Sequence, residues 1–409
     1  MRIVFVLLML IVHAALAQDH VREKKAVFVI VDGISADVIE KIATPALDSI
    51  AAVGGYARAY VGGEKDGYSQ TPTVSAVGYN SLLTGTWANK HNVWDNDIAA
   101  PNYAYPTIFR LFKEQYPDRK TAVFSSWLDN RTKLVGDGLP AAGNQNVDYK
   151  YDSLEYDTVH FAHDRSRDFM HRIDEAVVDS AAKSIRLQAP DLSWVYLEYT
   201  DDMGHMYGDS EQFYRAVRLM DNQMSRLWEA IRFREAKYNE DWVIYITTDH
   251  GRSANNGKGH GGQTDRERST WIVTNDDSLN SYFKSGNAAI VDIMPSLAAH
   301  LDVKLPTHIA YEIDGVKLNG PVSAVDLRTV YRNGKLIINW KTINPAGEAV
   351  IKISQTNKFK SGGKDEYREL KRVPVKNGTA EIEMKSAPFY KVVVEFPYNI
   401  LNRWVIDKK

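Results

Sequence analysis

"KAVFVIVD", residues 25–32, runs through apolar, mostly β-branched side chains and ends in an aspartate. A strand with one face in water would alternate polar and apolar residues, so this continuous run indicates a strand buried on both faces. Similar runs follow at 121–129, 192–201, 242–249 and 270–276. Helix-like stretches occupy 105–116, 166–186 and 210–235. This succession predicts an α/β fold in which helices sandwich a mostly parallel sheet.

Each of the first four apolar runs ends in an aspartate: Asp32, Asp129, Asp201 and Asp249. Ligands of open parallel sheets bind outside the carboxyl ends of the strands, and those ends lie at one edge. The sequence therefore predicts a strongly acidic cleft at that edge. Such a cleft is electrostatically costly unless cations neutralise it.

The pattern changes from about residue 322, where short segments alternate apolar and polar residues and are separated by Asn-Gly and Ser-Gly-Gly turns. This predicts a small antiparallel β-sandwich, similar to a fibronectin type III module. We expect one large α/β domain over 24–320 and the sandwich over 322–409, with the junction at "DGVKLNGPVS", residues 314–323.

The N-terminus "MRIVFVLLMLIVHAALAQ" has one basic residue, an apolar stretch and an Ala-Leu-Ala segment ending at Ala17. This is the pattern of a cleaved signal peptide over residues 1–17, so we expect an exported protein, periplasmic or extracellular, with no stable membrane anchor after cleavage. Lys and Arg number 50 against 52 Asp and Glu, which gives no reason to expect binding to nucleic-acid polymers. The chain has no cysteine, which excludes thiolate metal ligands and a cysteine nucleophile.

Histidines and aspartates collect in three short segments. "YLEYTDDMGHMYG" after the third run carries Asp201 and His205, which we expect in a loop, and "YITTDHG" carries Asp249 and His250. The glycine-rich "GKGHGG", residues 257–262, carries His260. Singly, each of these residues has an ordinary explanation as surface charge or as a hydrogen-bonded histidine. Together with Asp32 they would suit two divalent cations held by nitrogen and oxygen ligands.

"TPTVSAVGYNSLLTG", residues 71–85, offers several hydroxyls near the start of a predicted helix. A hydroxyl at a helix N-terminus sees backbone N–H groups that favour an alkoxide or a phosphate. The alternative, a helix N-cap with no chemistry, stays open on these residues alone.

The motifs in this order resemble the alkaline phosphatase superfamily, and especially its type I phosphodiesterase/nucleotide pyrophosphatase branch. The resemblance covers roughly residues 25–320 and rests on "VFVIVDG", "SAVGYNSLLTG", "TDDMGHMYG", "TTDHG", "GHGG" and the closing segments at 290–301 and 311–318. It implies hydrolysis of a small-molecule phosphate ester through a phosphoserine on Ser75. Phosphodiesters or nucleotide pyrophosphates are the favoured substrates, and a phosphomonoesterase of the alkaline phosphatase type is the alternative.

By the same resemblance, Asp201, His205 and His260 hold one divalent ion. Asp32, Asp249, His250 and the Ser75 oxygen hold the other. The mixed nitrogen and oxygen ligands favour zinc, with manganese as the alternative. A non-catalytic envelope-binding protein is the alternative from a different class of function. The sequence leaves the oligomeric state open.

One position departs from the family's pattern. The family usually has an asparagine three residues after the nucleophile, where it donates to a phosphate oxygen, and this chain has Gly78. We expect Gly78 to leave a donor missing and more room in the substrate site. Arg131, in "WLDNRTK", is a candidate replacement because its planar guanidinium can hold phosphate oxygens. The alternative for Arg131 is a loop salt bridge with Asp129.

Overall fold

The computed structural model describes residues 22–285 and 287–406, so the predicted signal peptide lies outside the described residues. The strands are β1 (Glu23–Val31), β2 (Gly55–Tyr60), β3 (Thr121–Ser125), β4 (Tyr149–Tyr151), β5 (Leu192–Leu197), β6 (Glu240–Thr247), β7 (Ser269–Thr274), β8 (Ala288–Ala289), β9 (Ala324–Arg332), β10 (Lys335–Thr342), β11 (Glu348–Ser354), β12 (Arg368–Pro374), β13 (Thr379–Glu383), β14 (Phe389–Glu395) and β15 (Ile400–Ile406).

The α-helices are α1 (Ala36–Lys41), α2 (Pro45–Ala51), α3 (Ser75–Thr84), α4 (Ala88–His91), α5 (Ile108–Gln115), α6 (Asp168–Leu187), α7 (Tyr199–Tyr207), α8 (Glu211–Lys237), α9 (Ile293–His300) and α10 (Thr307–Ala310). None of the helices within 22–285 and 287–406 combines the length and the apolar character that a membrane span needs.

The large sheet has the strand order β4-β3-β5-β1-β6-β7-β2-β8. From β4 to β6 all neighbours are parallel, which confirms the predicted fold class. The run at 270–276 is different, because β7 pairs antiparallel with both β6 and β2. A parallel return requires a crossover, usually a helix, and residues 248–268 form no α-helix, so the chain reverses direction instead.

Strand β1 shows why the sequence runs apolar without a break. Phe28 and Ile30 point into a core shared with α3, α5 and α9, and Val27 and Val29 point into a second core shared with α2, α6 and α8. All four side chains are fully buried. Each such burial contributes about 1.5–3 kcal/mol to folding, so polar residues on either face would be costly.

The C-terminal strands form two antiparallel sheets, ordered β13-β10-β9 and β12-β11-β14-β15. Alternate residues such as Leu336, Ile338, Ile351 and Val392 are buried between them, and this core is continuous with that of α3 and α9. The predicted antiparallel sandwich is therefore present. The domain boundary near residue 321 and the likeness to a fibronectin module stay predictions.

A buried lysine, Lys90, joins the sandwich to the end of the large domain. Lys90 is fully buried, and its Nζ donates to Asp314 Oδ1 at 2.6 Å and to the Glu312 carbonyl oxygen at 2.6 Å. The same Nζ donates to Asn402 Oδ1 on β15 at 2.9 Å. Because Lys90 is the buried counter-charge of Asp314, the junction depends on both charges being present.

We therefore predict that Lys90→Met destabilises the protein by about 3–5 kcal/mol, since it leaves the largely buried Asp314 carboxylate without its cationic partner. The measurement is chemical unfolding followed by tryptophan fluorescence. Lys120→Met is the control, because the Lys120 side chain is half-exposed in its ion pair with Asp148 and its loss should change the stability little. Equal losses for the two variants would contradict the prediction.

Candidate active site

Three neighbouring parallel strands, β5, β1 and β6, end at the same edge of the sheet. Asp32 directly follows β1, and Asp249 and His250 come just after the end of β6. The third strand, β5, leads within two residues into α7, which carries Asp201. The sheet therefore brings these side chains together because their strands are adjacent.

The segment 199–207 is helix α7, so the expectation of a loop there was wrong. The helix begins immediately after the strand, and its four-residue spacing puts Asp201 and His205 on one face. Asp201 Oδ2 lies 3.1 Å from His205 Nε2. The spacing that identifies this motif in the sequence is thus a helical one.

One cluster of possible ligands is formed by Asp32, Asp249 and His250. His250 Nε2 lies 3.3 Å from Asp32 Oδ1, 3.2 Å from Asp249 Oδ2 and 3.3 Å from Ser75 Oγ. Ser75 is the first residue of α3 and is nearly buried, with 7% of its surface exposed. The predicted nucleophile therefore lies against the first cluster.

The second cluster is formed by Asp201, His205 and His260. His260 Nε2 lies 3.1 Å from His205 Nε2 and 4.0 Å from Asp201 Oδ1. The rings of His250 and His260 stack with their centroids 3.7 Å apart, so the two clusters are contiguous. The structure thus brings all seven predicted metal-site residues, including Ser75, into one place.

Thr73 fixes the glycine-rich loop against the segment that precedes Ser75. Its carbonyl oxygen is 2.9 Å from His260 Nδ1, and its hydroxyl accepts from the Gly261 N–H at 2.9 Å and donates to the Gly262 carbonyl at 2.9 Å. Because a carbonyl oxygen only accepts, His260 Nδ1 carries the proton and Nε2 keeps its lone pair. The loop therefore presents His260 in the form that binds metal ions.

The first cluster has the same chemistry. His250 Nδ1 donates to the Gly251 carbonyl at 2.9 Å, which leaves a lone pair on Nε2. Asp32 Oδ1 and Asp249 Oδ2, which face that nitrogen, are buried and have no hydrogen-bond partner among the described residues. Buried polar atoms are almost always satisfied. These three atoms all carry lone pairs and converge with no hydrogen-bond donor between them, which is an arrangement that fits a divalent cation. Nitrogen and oxygen ligands of this kind suit zinc or a similar ion.

When no ion is bound, the pKa values of these groups reflect the same lack of a cation between the buried side chains. Burial, and secondarily the Asp201 carboxylate, raises the pKa of Asp32 to about 7. Burial together with Asp32 raises the pKa of Asp249 well above its usual range. Burial also lowers the pKa values of His250 and His260, which keeps both imidazoles neutral. The cluster binds protons tightly wherever no other cation is available.

Asp32 is oriented by two tyrosines. The hydroxyls of Tyr79, on α3, and Tyr196, on β5, both contact Asp32 Oδ2, the latter at 2.8 Å. Oδ2 is therefore satisfied and Oδ1 is left for a ligand. Such partners behind a metal ligand set its orientation and basicity.

Asp201 has a fixed cationic partner, Arg252, which is fully buried. Arg252 Nη1 donates to Asp201 Oδ1 at 2.5 Å, and the guanidinium also donates to backbone carbonyls of residues 257 and 258. The guanidinium passes so close to α7 that a Cβ on Gly204 would lie 2.3 Å from Arg252 Cζ. The glycine that precedes His205 is therefore required by Arg252.

A cleft of about 420 Å³ opens beside Ser75. Its aromatic walls include Tyr79, Trp127, Phe169 and Tyr196. Its charged lining consists of Asp32, Glu155, Glu198, Asp201 and Arg167, the one Lys or Arg among the described residues that line it. Four acidic groups against one guanidinium disfavour an anionic ester, and additional cations in the cleft would favour its binding.

Arg131 does not line this cleft. Its Nε donates to Asp152 Oδ2 and its Nη1 to Asp137 Oδ2, each at 2.5 Å, and the side chain is largely buried. Asp129 pairs with Lys133 at 2.8 Å. These partners engage both side chains, so neither Arg131 nor Asp129 lies where the sequence analysis expected it, among the residues that line the cleft. Strand β3 ends at Ser125, and Asn130–Val135 form a π-helix that packs against α3.

Gly78 also differs from expectation. It is buried, and a Cβ there would lie 2.7 Å from the Asp249 carbonyl oxygen and 2.9 Å from Asp249 Cβ. The space that a side chain would take is filled by the residue that carries a candidate ligand. Gly78 therefore permits α3 to pack against Asp249 and does not enlarge the substrate site.

Sequence reasoning missed several residues of the site. Tyr79 lies on α3, the helix that begins at the predicted nucleophile Ser75, a segment that is notable in the sequence. Arg252 follows Asp-His-Gly directly. Arg167 had no signal, since it lies just before α6 and reaches the cleft only through the fold.

A sequence model described as type I phosphodiesterase / nucleotide pyrophosphatase matches residues 26–335. That match spans most of the chain and runs into the first strands of the sandwich. A search of curated protein sequences finds no match.

Two solved structures illustrate the fold. Human ectonucleotide pyrophosphatase/phosphodiesterase 5 is 14% identical with a TM-score of 0.50, over 69% of this chain and 96% of that one. A putative sulfatase from Bacteroides thetaiotaomicron is 11% identical with a TM-score of 0.50, over 85% of each chain. At these identities the likeness establishes the shared alkaline phosphatase-like fold.

Gly78→Ala should displace Asp249 and weaken metal binding, and we expect it to destabilise the protein by about 1–3 kcal/mol through overpacking. Metal content by elemental analysis and the urea midpoint measure the two effects. The control is Gly259→Ala, which stands next to His260, because its Cβ would meet nothing nearer than 3.7 Å. Normal metal content in Gly78→Ala would contradict the packing argument.

Asp32→Asn should stabilise the metal-free protein at pH 8 and abolish metal binding at the first cluster. The pKa of Asp32 is raised to about 7 in the folded protein, so its carboxyl group stabilises the fold fully below the carboxyl pKa of the unfolded chain. This stabilisation is lost as the pH rises through 7. The amide of the variant stays neutral and avoids that loss, so the difference in stability between Asp32→Asn and the wild type should shrink as the pH falls.

Thermal unfolding with a chelator present measures this effect, with Asp277→Asn as an exposed control that should not change the melting temperature. A chelated Asp32→Asn protein that melts below chelated wild type at pH 8 would contradict the account.

Proposed function

The chain belongs to the type I phosphodiesterase/nucleotide pyrophosphatase family, and on that premise we propose that it is an exported, metal-dependent hydrolase of phosphate esters. Ser75 is the proposed nucleophile and forms a phosphoserine intermediate. The observation that carries the proposal is the position of Ser75 Oγ, 3.3 Å from His250 Nε2 and open to the cleft. A purely structural serine at a helix start would have no reason to contact a histidine of the first cluster.

In this proposal Asp32, Asp249, His250 and Ser75 hold one divalent ion, and Asp201, His205 and His260 hold the other. Zinc is favoured, with manganese as the alternative, because the ligands are imidazoles and carboxylates. Divalent ions bound there supply Lewis-acid stabilisation of a deprotonated hydroxyl and of charge on a leaving oxygen. The unsatisfied oxygens of Asp32 and Asp249 support this assignment.

The chain's own groups account for the positioning. Ser75 opens α3, where the first backbone N–H groups of the helix favour an anion. In the first half-reaction the bond from Ser75 Oγ to phosphorus forms, the ester P–O bond breaks, and the serine proton leaves with the departing alcohol. Water then attacks the phosphoserine, Oγ recovers its proton, and the phosphate product leaves.

Phosphodiesters or nucleotide pyrophosphates are the favoured substrates. The family description supports this choice, and so does the partly exposed Trp127 in the cleft wall, which offers apolar area for an organic group. The cleft volume of about 420 Å³ is of the size that small-molecule ligands occupy.

A phosphomonoesterase is the second candidate, and Arg167 is the observation that favours it. Its Nε donates to Asp202 and its Nη2 to Glu198, so Nη1 keeps its donors for a ligand within the cleft. A guanidinium binds a dianionic monoester more strongly than a monoanionic diester. The ratio of the two activities therefore decides between the candidates.

Export rests on the sequence of residues 1–17 alone, and cleavage after Ala17 is the expected processing. N-terminal sequencing of the protein purified from its native host, compared between cell fractions, tests this part of the proposal. An intact Met1 in the cytoplasmic fraction would contradict it.

The catalytic proposal is tested with p-nitrophenyl phosphate, bis-p-nitrophenyl phosphate and a nucleotide p-nitrophenyl ester. We expect Ser75→Ala to lower kcat/KM at least about 1,000-fold on every substrate that the wild type cleaves. Ser81→Ala is the control, since this hydroxyl lies on the same helix but bonds to the Val77 carbonyl and to His91. Acid quenching with a radiolabelled ester should trap phosphate on Ser75. Unchanged rates in Ser75→Ala would overturn the proposal.

A further inference from the structure

The last strand of the sandwich contacts the loop that leads to Ser75. Strand β15 lies at the edge of its sheet, so one side of it has no neighbouring strand among the described residues. The backbone N–H of Trp404 donates to the Tyr68 hydroxyl at 3.2 Å, and the two rings stack with their centroids 5.4 Å apart. Next to Trp404, Arg403 forms an ion pair with Glu64, and its guanidinium lies over the Tyr68 ring. The sandwich therefore holds this loop at two points.

We call residues 62–71 the brace loop. Its two ends meet where the Thr71 N–H donates to the Gly62 carbonyl oxygen at 3.0 Å. Gly63 has a φ of +64°, and a Cβ there would lie 1.7 Å from the Ser69 carbonyl oxygen. The loop is thus folded tightly on itself. Because close-packed structure transmits strain, a shift of its middle part, which contacts the sandwich, also shifts its ends.

Arg268 and Gln263 connect the brace loop to the glycine-rich loop of His260. Arg268 donates to two carbonyl oxygens at the start of the brace loop, at 3.0 and 2.7 Å, and to Gln263 Oε1 at 2.6 Å. Gln263 Nε2 donates to the Thr71 carbonyl oxygen at the end of the brace loop at 2.6 Å. Two residues further on, the Thr73 carbonyl oxygen accepts from His260 Nδ1. A continuous series of contacts therefore leads from β15 to a candidate metal ligand.

We propose that Arg403 and Trp404 are positioning residues, which hold His260 in its metal-binding position through the brace loop. This inference rests on the proposed function, in which His260 binds one of the two metal ions. It gives the C-terminal sandwich a part in the active site, although no residue of the sandwich lines the cleft. Groups behind a metal ligand set its orientation, and here that support extends into a second sheet structure.

Attachment of the sandwich does not depend on the brace loop, because other contacts also join the two parts of the chain. Lys391 Nζ donates to Glu312 Oε1 at 2.5 Å, and Lys352 Nζ donates to the Tyr311 hydroxyl at 2.9 Å. Lys90 adds the contact to β15 described above. The contacts of Arg403 and Trp404 thus add to a junction that is already held, and variants test the two roles separately.

Trp404→Ala removes the ring that stacks on Tyr68 and should loosen the loop of His260. We expect the zinc dissociation constant of the cluster that contains His260 to rise about 10-fold, the low end for residues behind a metal ligand. In the zinc-free protein, the Gly261 amide, which donates to the Thr73 hydroxyl, should exchange with deuterium faster than in wild type. Trp404→Phe keeps an aromatic ring and should restore both properties.

Arg403→Gln tests the second contact and serves as the test if Trp404→Ala is not obtained as folded protein. Its ion pair with Glu64 is partly exposed, so we expect the zinc dissociation constant to rise only about 3-fold. If Arg403 acts through Glu64, Arg403→Gln should have no further effect in a Glu64→Gln background.

Lys352→Met is the matched control. The Lys352 side chain is 23% exposed, as is that of Arg403, and it forms an ion pair with Glu395 in a different part of the junction. This variant should keep the zinc affinity of wild type and its amide exchange at Gly261.

The outcomes separate a positioning role from a structural one. Wild-type zinc affinity and wild-type exchange at Gly261 in Trp404→Ala would overturn the inference. Equal changes in Lys352→Met would also overturn it, because any loss at the junction would then have the same effect. Both measurements are made without an ester. Failure of the wild type to cleave any ester would therefore overturn the proposed function, while these measurements would still decide the positioning role.

Discussion

The mutual repulsion of Asp32, Asp201 and Asp249 is the constraint on which the rest of the site depends. Three carboxylates lie at one edge of a buried sheet, and Arg252 is the guanidinium bonded to them, through Asp201 alone. Two of their oxygens have no hydrogen-bond partner among the described residues. Charges buried in this way are tolerated only when protons or metal ions compensate them. The fold therefore maintains an arrangement that is unfavourable for its own stability, as is common at functional sites.

Much of the surrounding structure holds that arrangement in place. The parallel order of β5, β1 and β6 fixes where the carboxylates emerge, and both faces of these strands are covered by core. Tyr79 and Tyr196 occupy one oxygen of Asp32, Thr73 holds the loop of His260, and Arg252 holds Asp201. Each of these contacts leaves a ligand atom directed at the space between the clusters. The glycines of the site serve the same purpose, because they let α3 and Arg252 approach the ligands closely.

The sequence predicted those features that depend on periodicity and order along the chain. Continuous apolar strands ending in Asp32 and Asp249 predicted the sheet and its acidic edge, and the four-residue spacing of Asp201 and His205 belongs to two side chains that the structure places 3.1 Å apart. It failed where the outcome depended on how loops return. Tertiary packing, which no local pattern encodes, sets the direction of β7. It also sets the ion pairs that Arg131 makes and the position of Arg167 in the cleft. Gly78 was misread for a related reason, since its neighbour Asp249 is 171 positions away in the chain.

Anomalous diffraction from crystals grown with zinc, recorded on both sides of the zinc absorption edge, tests the central claim most directly. The account predicts two anomalous peaks in each molecule, one among Asp32, Asp249, His250 and Ser75 and one among Asp201, His205 and His260. Zinc found only at other surface histidines, with the two clusters empty at saturating metal, would contradict it.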